Sequence, residues 1–515
     1  MLNKHELSQG TSREQISMLS VDTLIAADNA VRVIDLFVDL LDLKALGFNK
    51  TICKQEGRGP FHAKDMLKLY YYGYLNRIRS SRKLETECER NVEVWWLMHQ
   101  LKPSYRTIAD FRKNNDDALK NAYKIFISFL KGEDMFSKEV IGIDGTKLRA
   151  QNNKKNNFNE DKLKKHLANI EDKIETYLKE LDECDAAEDR QASELKKKEV
   201  HQKLEMLKQR KENYEQLNKK LTEGDDKQIS TVDEESRLLT VKDNIAEVSY
   251  NIQAVSDSKH SLIVEFDTVN ESDQHQLSRM ACSAMEALGV EEITAEADKG
   301  YHVGKQLQEC KEKGITTLVA YPERNSRAKQ IDPAYYTDKF LYDAANDTYI
   351  CPQGATLTTN GEWYDKKRKN RTSYQIKRYS TPQCKTCPVK HLCTSAKQGR
   401  LIERSQYQEV IDENNKRVDA NAALYKKRQQ ICEHPFGTIK RGWGYNHTLL
   451  RGIKKVNAEM AIIFTVYNLR RVITIPGVTE LLRRLKKWKP VYYELKSCLI
   501  KALYGKENFE VQIRA

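Results

Sequence analysis

Between residues 153 and 224 the chain carries an apolar spacing that only a helix can use. Leu163, Leu167, Ile170, Ile174, Tyr177 and Leu181 step alternately by four and three, the repeat of a helix that presents one seam to a partner. A second seam runs through Val200, Leu204, Leu207, Tyr214, Leu217 and Leu221, with Lys211 as a polar interruption. The stretch near Cys184 to Asp189 breaks the pattern. The spacing therefore predicts two arms folded back as an antiparallel coiled-coil hairpin. Strand-like and helix-like stretches alternate on both sides of it, so the hairpin reads as an insertion that splits an α/β region.

Before the insertion, Val140, Ile141 and Ile143 predict a short buried strand with Asp144 at its carboxyl end, followed by Gly145, Lys147 and Arg149. An unpaired buried carboxylate is costly, so an Asp there calls for a metal or a cation. After the insertion, residues 248–257 and 260–269 predict a hairpin turning at Asp257-Ser258-Lys259. Residues 274–289 predict a helix stopped by Gly289. EEITAEADKGY (291–301) predicts a strand ending at Asp298, followed by a helix over 302–314 and a strand over 315–323. Two acids thus stand at strand ends, where α/β sheets place ligands. Asp257, Glu265, Asp267 and Glu296 compete for the same role by spacing alone.

Residues 1–135 read as helical, with candidate helices over Leu36–Leu46, over 61–85, through Trp95, Trp96 and Leu97, and after Pro103 with Ser104 as cap. Arg77, Arg79, Arg82, Lys83, Arg106, Arg112 and Lys113 suit contact with a DNA backbone from the polar sides of those helices. The whole chain carries 87 Lys and Arg against 74 Asp and Glu, a formal charge of +13, which favours a polyanionic partner. No apolar run approaches the ~20 residues of a membrane helix, and MLNKHELSQG lacks a signal core. Eleven cysteines without a secretion signal read as reduced thiols. The expectation is a cytoplasmic protein with no membrane partner.

Four of those cysteines cluster. YICPQG supplies Cys351 and CKTCPVKHLC supplies Cys384, Cys387 and Cys393. Such a set can close a tetrahedral Zn²⁺ site or hold an iron–sulfur cluster, and plain reduced thiols are the third reading. The basic, aromatic run 363–379 suits a nucleic-acid face. Farther on, residues 424–452 predict a helical stretch, kinked at Pro435, that carries Tyr425, Arg428, Glu433, Phe436 and Lys440. NAEMAIIFTVYNLRR (457–471) predicts a buried helix closing the core, and RRLKKWK (483–489) leads into a basic tail.

Taken in order, IGIDGTKLRA, YNIQAVSDSKHSLIV, ADKGY and YKKRQQICEHPFGTIKR resemble the DDE transposases of bacterial insertion sequences. PSYRTIADFR (103–112) resembles that group's amino-terminal domain, and the four-cysteine stretch its carboxyl half. The resemblance implies an α/β RNase H-like catalytic core with an all-α N-terminal DNA-binding domain (1–135). The core would be made of 136–152, 225–325 and 416–475. It would be interrupted by the coiled-coil hairpin (153–224) and a small cysteine-containing insertion (326–415), and followed by the tail (476–515). It implies Asp144, Asp298 and Glu433 as the catalytic triad, holding two Mg²⁺ ions, with Mn²⁺ as a substitute. Tyr425, Arg428, Glu433 and Lys440 resemble the Tyr-Arg-Glu-Lys signature of related transposases. Four residues separate Arg428 from Glu433 where that signature has three, and Gln429 stands at the matching position. Lys440, Arg428, Tyr425, Lys147 and Arg149 would contact phosphates. The implied partners are double-stranded element ends and target DNA, bound by a homodimer at the bacterial nucleoid. A metal-dependent nuclease of the same fold and an inactive DNA-binding derivative are the rival readings.

Overall fold

The computed structural model describes residues 14, 18–49, 61–186, 190–224, 227–242, 245–322, 331–368 and 371–492. The chain divides into two units, Met1–Met135 with Thr448–Ala515, and Phe136–His447.

The first unit is helical. Its first helix spans Ala30–Asp39, capped by the Asn29 side chain, which accepts from the Val31 N–H. The apolar run to Leu46 is therefore only partly helix, because the chain turns after Leu40. The stretch 61–85 is two helices rather than one. Ala63–Leu75 stops, Arg77 takes a φ of +63°, and a new helix runs Ser81–Arg90. Val92–Leu97, Tyr105–Asn114 and Asp116–Gly132 complete the amino-terminal set. Ser104 does cap its helix, accepting from the Thr107 N–H.

The helix Ile453–Thr474, expected in the catalytic core, belongs to this unit instead. It is buried on nearly all sides, and it packs against Asp116–Gly132 and Ala63–Leu75. A helix apolar all round needs such a wrapping. Val478–Lys487 follows it, and Trp488 stacks near Phe37 and Phe129. Most of the expected tail, 493–515, lies outside the described residues.

Burial also revises two expected DNA-facing arginines. Arg79 and Arg112 are only 9% and 6% exposed. Arg112 donates to the Tyr74 hydroxyl (2.6 Å) and Arg79 pairs with buried Glu459 (3.4 Å). Arg77, Arg82, Lys83, Arg106 and Lys113 remain exposed.

The second unit is built on a six-stranded mixed sheet. Its first strand, β1, is Val140–Arg149. Two short strands, β2 (Asn157–Phe158) and β3 (Ile229–Ser230), pair at the root of the helical hairpin. The sheet resumes with β4 (Arg237–Lys242), β5 (Ile245–Asp257), β6 (Ile263–Val269), β7 (Ile293–Ala297) and β8 (Ile315–Val319). The order is β4-β5-β1-β7-β8, and β6 also pairs with β5. β1 is antiparallel to β5 and parallel to β7, and β8 is parallel to β7. β4, which the sequence pattern did not announce, pairs with residues 245–249 of β5, and β6 pairs with residues 251–256.

The hairpin arms are Glu160–Ala186 and Arg190–Glu223. They pack through Leu163, Ile170 and Tyr214, with Leu167, Ile174, Leu207, Leu217 and Leu221 around them. Lys211, the polar break in the second seam, reaches Glu171 on the opposite arm at 2.8 Å. Beyond the sheet, β9 (Leu341–Asp343), β10 (Thr348–Ile350) and β11 (Thr356–Leu357) form one small sheet. β12 (Tyr364–Arg368), β13 (Arg371–Tyr379) and β14 (Ile402–Ser405) form another. Phe340, Tyr349, Leu357, Tyr379 and Ile402 are their shared core.

Candidate active site

Asp144 is not at the end of its strand. β1 continues five residues beyond it, paired throughout with β5. What ends near Asp144 is the ladder on its other side: β1 pairs with β7 only from Val140↔Thr294 to Ile143↔Ala297. Asp144 and Asp298 are therefore the next residues on neighbouring parallel strands, at the point where those strands part. The opening between them arises because β7 stops at Ala297 and turns through Lys299–Tyr301. The Asp298 Oδ1 caps that turn, accepting from the Gly300 N–H at 2.7 Å, and the Asp144 Oδ1 accepts from the Gly145 N–H at 2.8 Å.

Glu433 arrives from a different element. Its helix, Ala422–Phe436, packs on β1, β5 and β7. Gly142 makes this approach feasible. A Cβ there would lie 2.2 Å from the Cys432 Sγ and 3.1 Å from the Ile431 Cγ2. Side chains alternate along a strand, so Gly142 and Asp144 share the face that this helix crosses. Cys432 is buried against the strand, while Glu433 beside it is exposed. Tyr425, on the same helix, donates to the Ala297 carbonyl (3.4 Å), the residue before Asp298. The side chain of Arg428 lies outside the described residues.

Pro435 does not break the helix; the backbone widens after it into a π-helical turn, Gly437–Gly442. Such widening is common at functional sites. It carries Lys440 to β1, where Nζ donates to the Thr146 hydroxyl and the Lys147 carbonyl, both at 3.1 Å. Burial pulls the Lys440 ammonium below its ordinary pKa, and nearby Lys147 adds to this, while Asp144 opposes it. The Arg149 side chain is exposed, and its N–H donates to the Asn446 carbonyl.

On the other face of β1 lies a network that the spacing of acids in the sequence does not reveal. Asp273 accepts from Asn251 and Gln253 (both 2.8 Å) and from the Lys147 ammonium (2.7 Å). Lys147, expected on phosphate, is thus engaged within the protein. A Cβ at Gly145 would fall 2.3 Å from the Gln253 Nε2 and 2.4 Å from the Asp273 Oδ1. The Tyr301 hydroxyl donates to Gln253, and its phenol is pushed well up, first by burial and then by Asp273, Asp144 and Asp298. The available signal was Asn251 and Gln253, two amides two residues apart and so on one face of β5.

The competing acids have other tasks. Asp257 accepts from the N–H groups of Ser137, Lys138 and Lys259 and from the Ser137 hydroxyl. Asp267 pairs with Arg279. Glu265 accepts from the Phe266 N–H, and Glu296 is fully buried. Among the described residues, no three His, Cys, Asp or Glu side chains stand close enough together to hold a metal ion. The structure thus brings Asp144 and Asp298 to one opening and lays the Glu433 helix across the same face, without drawing the three carboxylates into a closed ligand set.

The four cysteines line one cavity, with Phe340, Lys390 and Arg400. The basic run 363–379 forms the β12–β13 hairpin. Much of its charge is matched internally: Lys366 by Glu403, Lys377 by Asp347 (2.7 Å), and Arg378 over the Tyr364 ring.

No single described helix is long and apolar enough to cross a membrane. No curated protein and no solved structure matches the chain. Two family models do. Residues 350–473 match a transposase DDE domain, and residues 19–114 match the DUF772 transposase domain. One match falls in the amino-terminal helices and the other runs from the cysteine region through the Glu433 helix, so the chain belongs to the DDE transposases of insertion sequences.

Proposed function

We propose that this transposase binds the terminal repeats of its element, cleaves DNA phosphodiester bonds and joins the freed 3′-hydroxyl ends to target DNA, using Asp144, Asp298 and Glu433. The observation that carries this reading is the register of β1 and β7, which makes Asp144 and Asp298 neighbours beyond Ile143 and Ala297. An antiparallel β6-β5-β1 ribbon followed by parallel β7 and β8 agrees with an RNase H-like core. The apolar seam between the two hairpin arms supports the coiled-coil reading of the insertion. A homodimer working on double-stranded DNA at the bacterial nucleoid completes the reading.

The donor set suits magnesium, a hard cation that takes oxygen ligands and keeps several waters. Asp144, Asp298 and Glu433 would hold two such ions, which when bound supply Lewis acidity at the attacking and leaving oxygens. The remaining contributions belong to the chain. The Gly145 and Gly300 amides orient the two aspartates. Cys432 and Ile431, seated on Gly142, fix the helix that carries Glu433. Lys440 places a cation beside β1, where it can offset phosphate charge. Tyr425 reaches the Ala297 carbonyl beside Asp298, Arg428 is on the same helix, and Arg149, five residues beyond Asp144 on β1, would contact phosphate farther from the acids. Exposed Arg82, Lys83, Arg106 and Lys113 would hold the DNA backbone.

The test is incubation of the full chain with Mg²⁺ and DNA bearing the element's own ends. Cleavage and strand joining should occur with Mg²⁺ or Mn²⁺ and stop with a chelator. Asp144→Asn, Asp298→Asn and Glu433→Gln should each lower cleavage by at least about a thousandfold while retaining DNA binding. Normal cleavage by any one variant removes that residue from the triad. Cutting without joining of pre-cleaved ends would favour the nuclease reading.

A further inference from the structure

We propose that Cys351, Cys384, Cys387 and Cys393 form a structural zinc site that staples the β9–β14 region. The inference is independent of the catalytic reading and would survive its failure.

Four observations converge. First, the four thiols come from three separate local structures and all border one cavity. Cys384 lies in the turn Pro382–Lys385, Cys393 ends the short helix Lys390–Cys393, and Cys351 follows β10. These four are partly buried, whereas the fully buried Cys88 and Cys310 lie on helices.

Second, the Cys351 turn is shaped around sulfur. The Cys351 N–H donates to the Ala355 carbonyl, the Gly354 N–H donates to the Cys351 carbonyl, and the Ala355 N–H points at the Cys351 Sγ from 3.3 Å. A backbone N–H aimed at sulfur stabilises a thiolate, the form a metal binds.

Third, the surroundings supply compensating charge. Lys390 and Arg400 line the cavity, and the Arg400 Nε is buried with no hydrogen-bond partner among the described residues. A thiolate cluster would give that donor an acceptor. Gly399, at φ +100°, lets this strand of chain approach Cys384. A Cβ there would lie 2.4 Å from the Cys384 Cβ.

Fourth, the region is short of apolar core. Among the described residues, the cluster of Phe340, Tyr349, Leu357, Tyr379 and Ile402, with Tyr342, Cys351 and Cys393 packed against it, is the main apolar contact of β9 to β14, and small modules of that kind usually need a staple. The thiols now surround the cavity rather than meeting at ligand distance. Binding would draw them in, with four S–H protons released as four Zn–S bonds form.

Zinc is the metal assigned because four thiolates on compact turns suit its closed tetrahedral structural site. The full chain, purified without chelator, should contain about one zinc per molecule by elemental analysis. Cobalt(II) exchanged into it should show the intense visible and near-ultraviolet bands of tetrahedral thiolate. Cys387→Ser and Cys393→Ser should lose those bands, and Cys310→Ser should keep them. Should the serine variants fail to fold, the wild-type chain decides alone. Stripping its metal should expose Cys351, Cys384, Cys387 and Cys393 to iodoacetamide and leave Cys88, Cys310 and Cys432 unchanged. Iron with acid-labile sulfide overturns the proposal, and so does a chain that takes up no zinc or whose alkylation ignores the chelator.

Discussion

At the scale of single residues, the positions that shape the site are those with the least side chain. Gly142 carries no chemistry, yet the Cβ it lacks would lie within 2.2 Å of the Cys432 sulfur. Gly142→Ala should therefore lift the Glu433 helix from β1. The expected cost is about 1–3 kcal/mol of overpacking, with a larger loss of cleavage because Glu433 moves with Cys432. Adding Cys432→Ala should recover part of both, since it removes the sulfur that the new methyl meets. Denaturant unfolding and cleavage rates of the two variants give the comparison, and an unchanged Gly142→Ala protein would show that the contact does not position the helix. Asp144 and Asp298 stood out in the sequence because an acid following an apolar strand is costly unless used, and the register of β1 and β7 sets them side by side. Asp273 was not, because its meaning depends on Asn251, Gln253 and Lys147 from two other strands. Arg79 and Arg112 were misread for a related reason. Arginine is usually exposed, and nothing near these two in sequence announces that one meets Glu459, 380 residues away, or that the other meets Tyr74.

At the scale of elements, the core strands β1, β5, β6, β7 and β8 were easier to see than their ends. β1 was expected to stop at Asp144 because Gly145, Thr146 and Lys147 are not apolar. It continues because β5 supplies backbone partners as far as Arg149, and pairing of that kind leaves no local mark. The turn after β7 shows how such ends are held. His302 follows it and shares a 3.1 Å hydrogen bond with Asn415 on the helix Gln408–Ala420. Burial lowers the pKa of this imidazole, with the Asn415 contact opposing. The folded protein thus prefers neutral His302, while the unfolded chain binds a proton at the ordinary value of 6.5. Below that value the unfolded state holds more protons, so stability falls as pH drops towards the folded pKa. Above it His302 contributes no slope. Between about pH 7 and about pH 5.5 the melting temperature should fall more steeply in wild type than in His302→Gln. Parallel curves would mean that His302 stays neutral, or is charged equally, in both states. A second pH dependence belongs to the cysteine region. Asp347 is held at a pKa of about 2, mainly by Lys377 and then by the Tyr379 hydroxyl. Its contribution is complete above the ordinary value of 3.8 and is lost as pH falls towards about 2.

At the scale of the whole molecule, the first unit is assembled from both halves of the chain, and the helical domain expected over 1–135 is incomplete without residues after 447. Local patterning could not reveal this. The stretch 457–471 reads as a buried helix wherever it is placed, and only folding selects the helices that bury it. The bond between the two segments is partly ionic. Glu459 is fully buried, accepts from the Leu449 and Leu450 N–H groups at 2.8 and 3.2 Å, and pairs with Arg79. Removing one member of a buried pair leaves the other charge without compensation and typically costs about 3–5 kcal/mol. Glu459→Ala should incur a loss of that order. Glu459→Gln should lose less, because an oxygen remains for the two amides while only the charge facing Arg79 disappears. Hydrogen exchange can assign the loss to its unit. Protection should fall in Ala63–Leu75, Asp116–Gly132 and Ile453–Thr474, while β1 and β5 serve as the internal reference. Protection lost equally from β1 and β5 would show that the two units unfold as one, and unchanged protection in all of them would show that the Arg79–Glu459 pair contributes little to joining the ends of the chain.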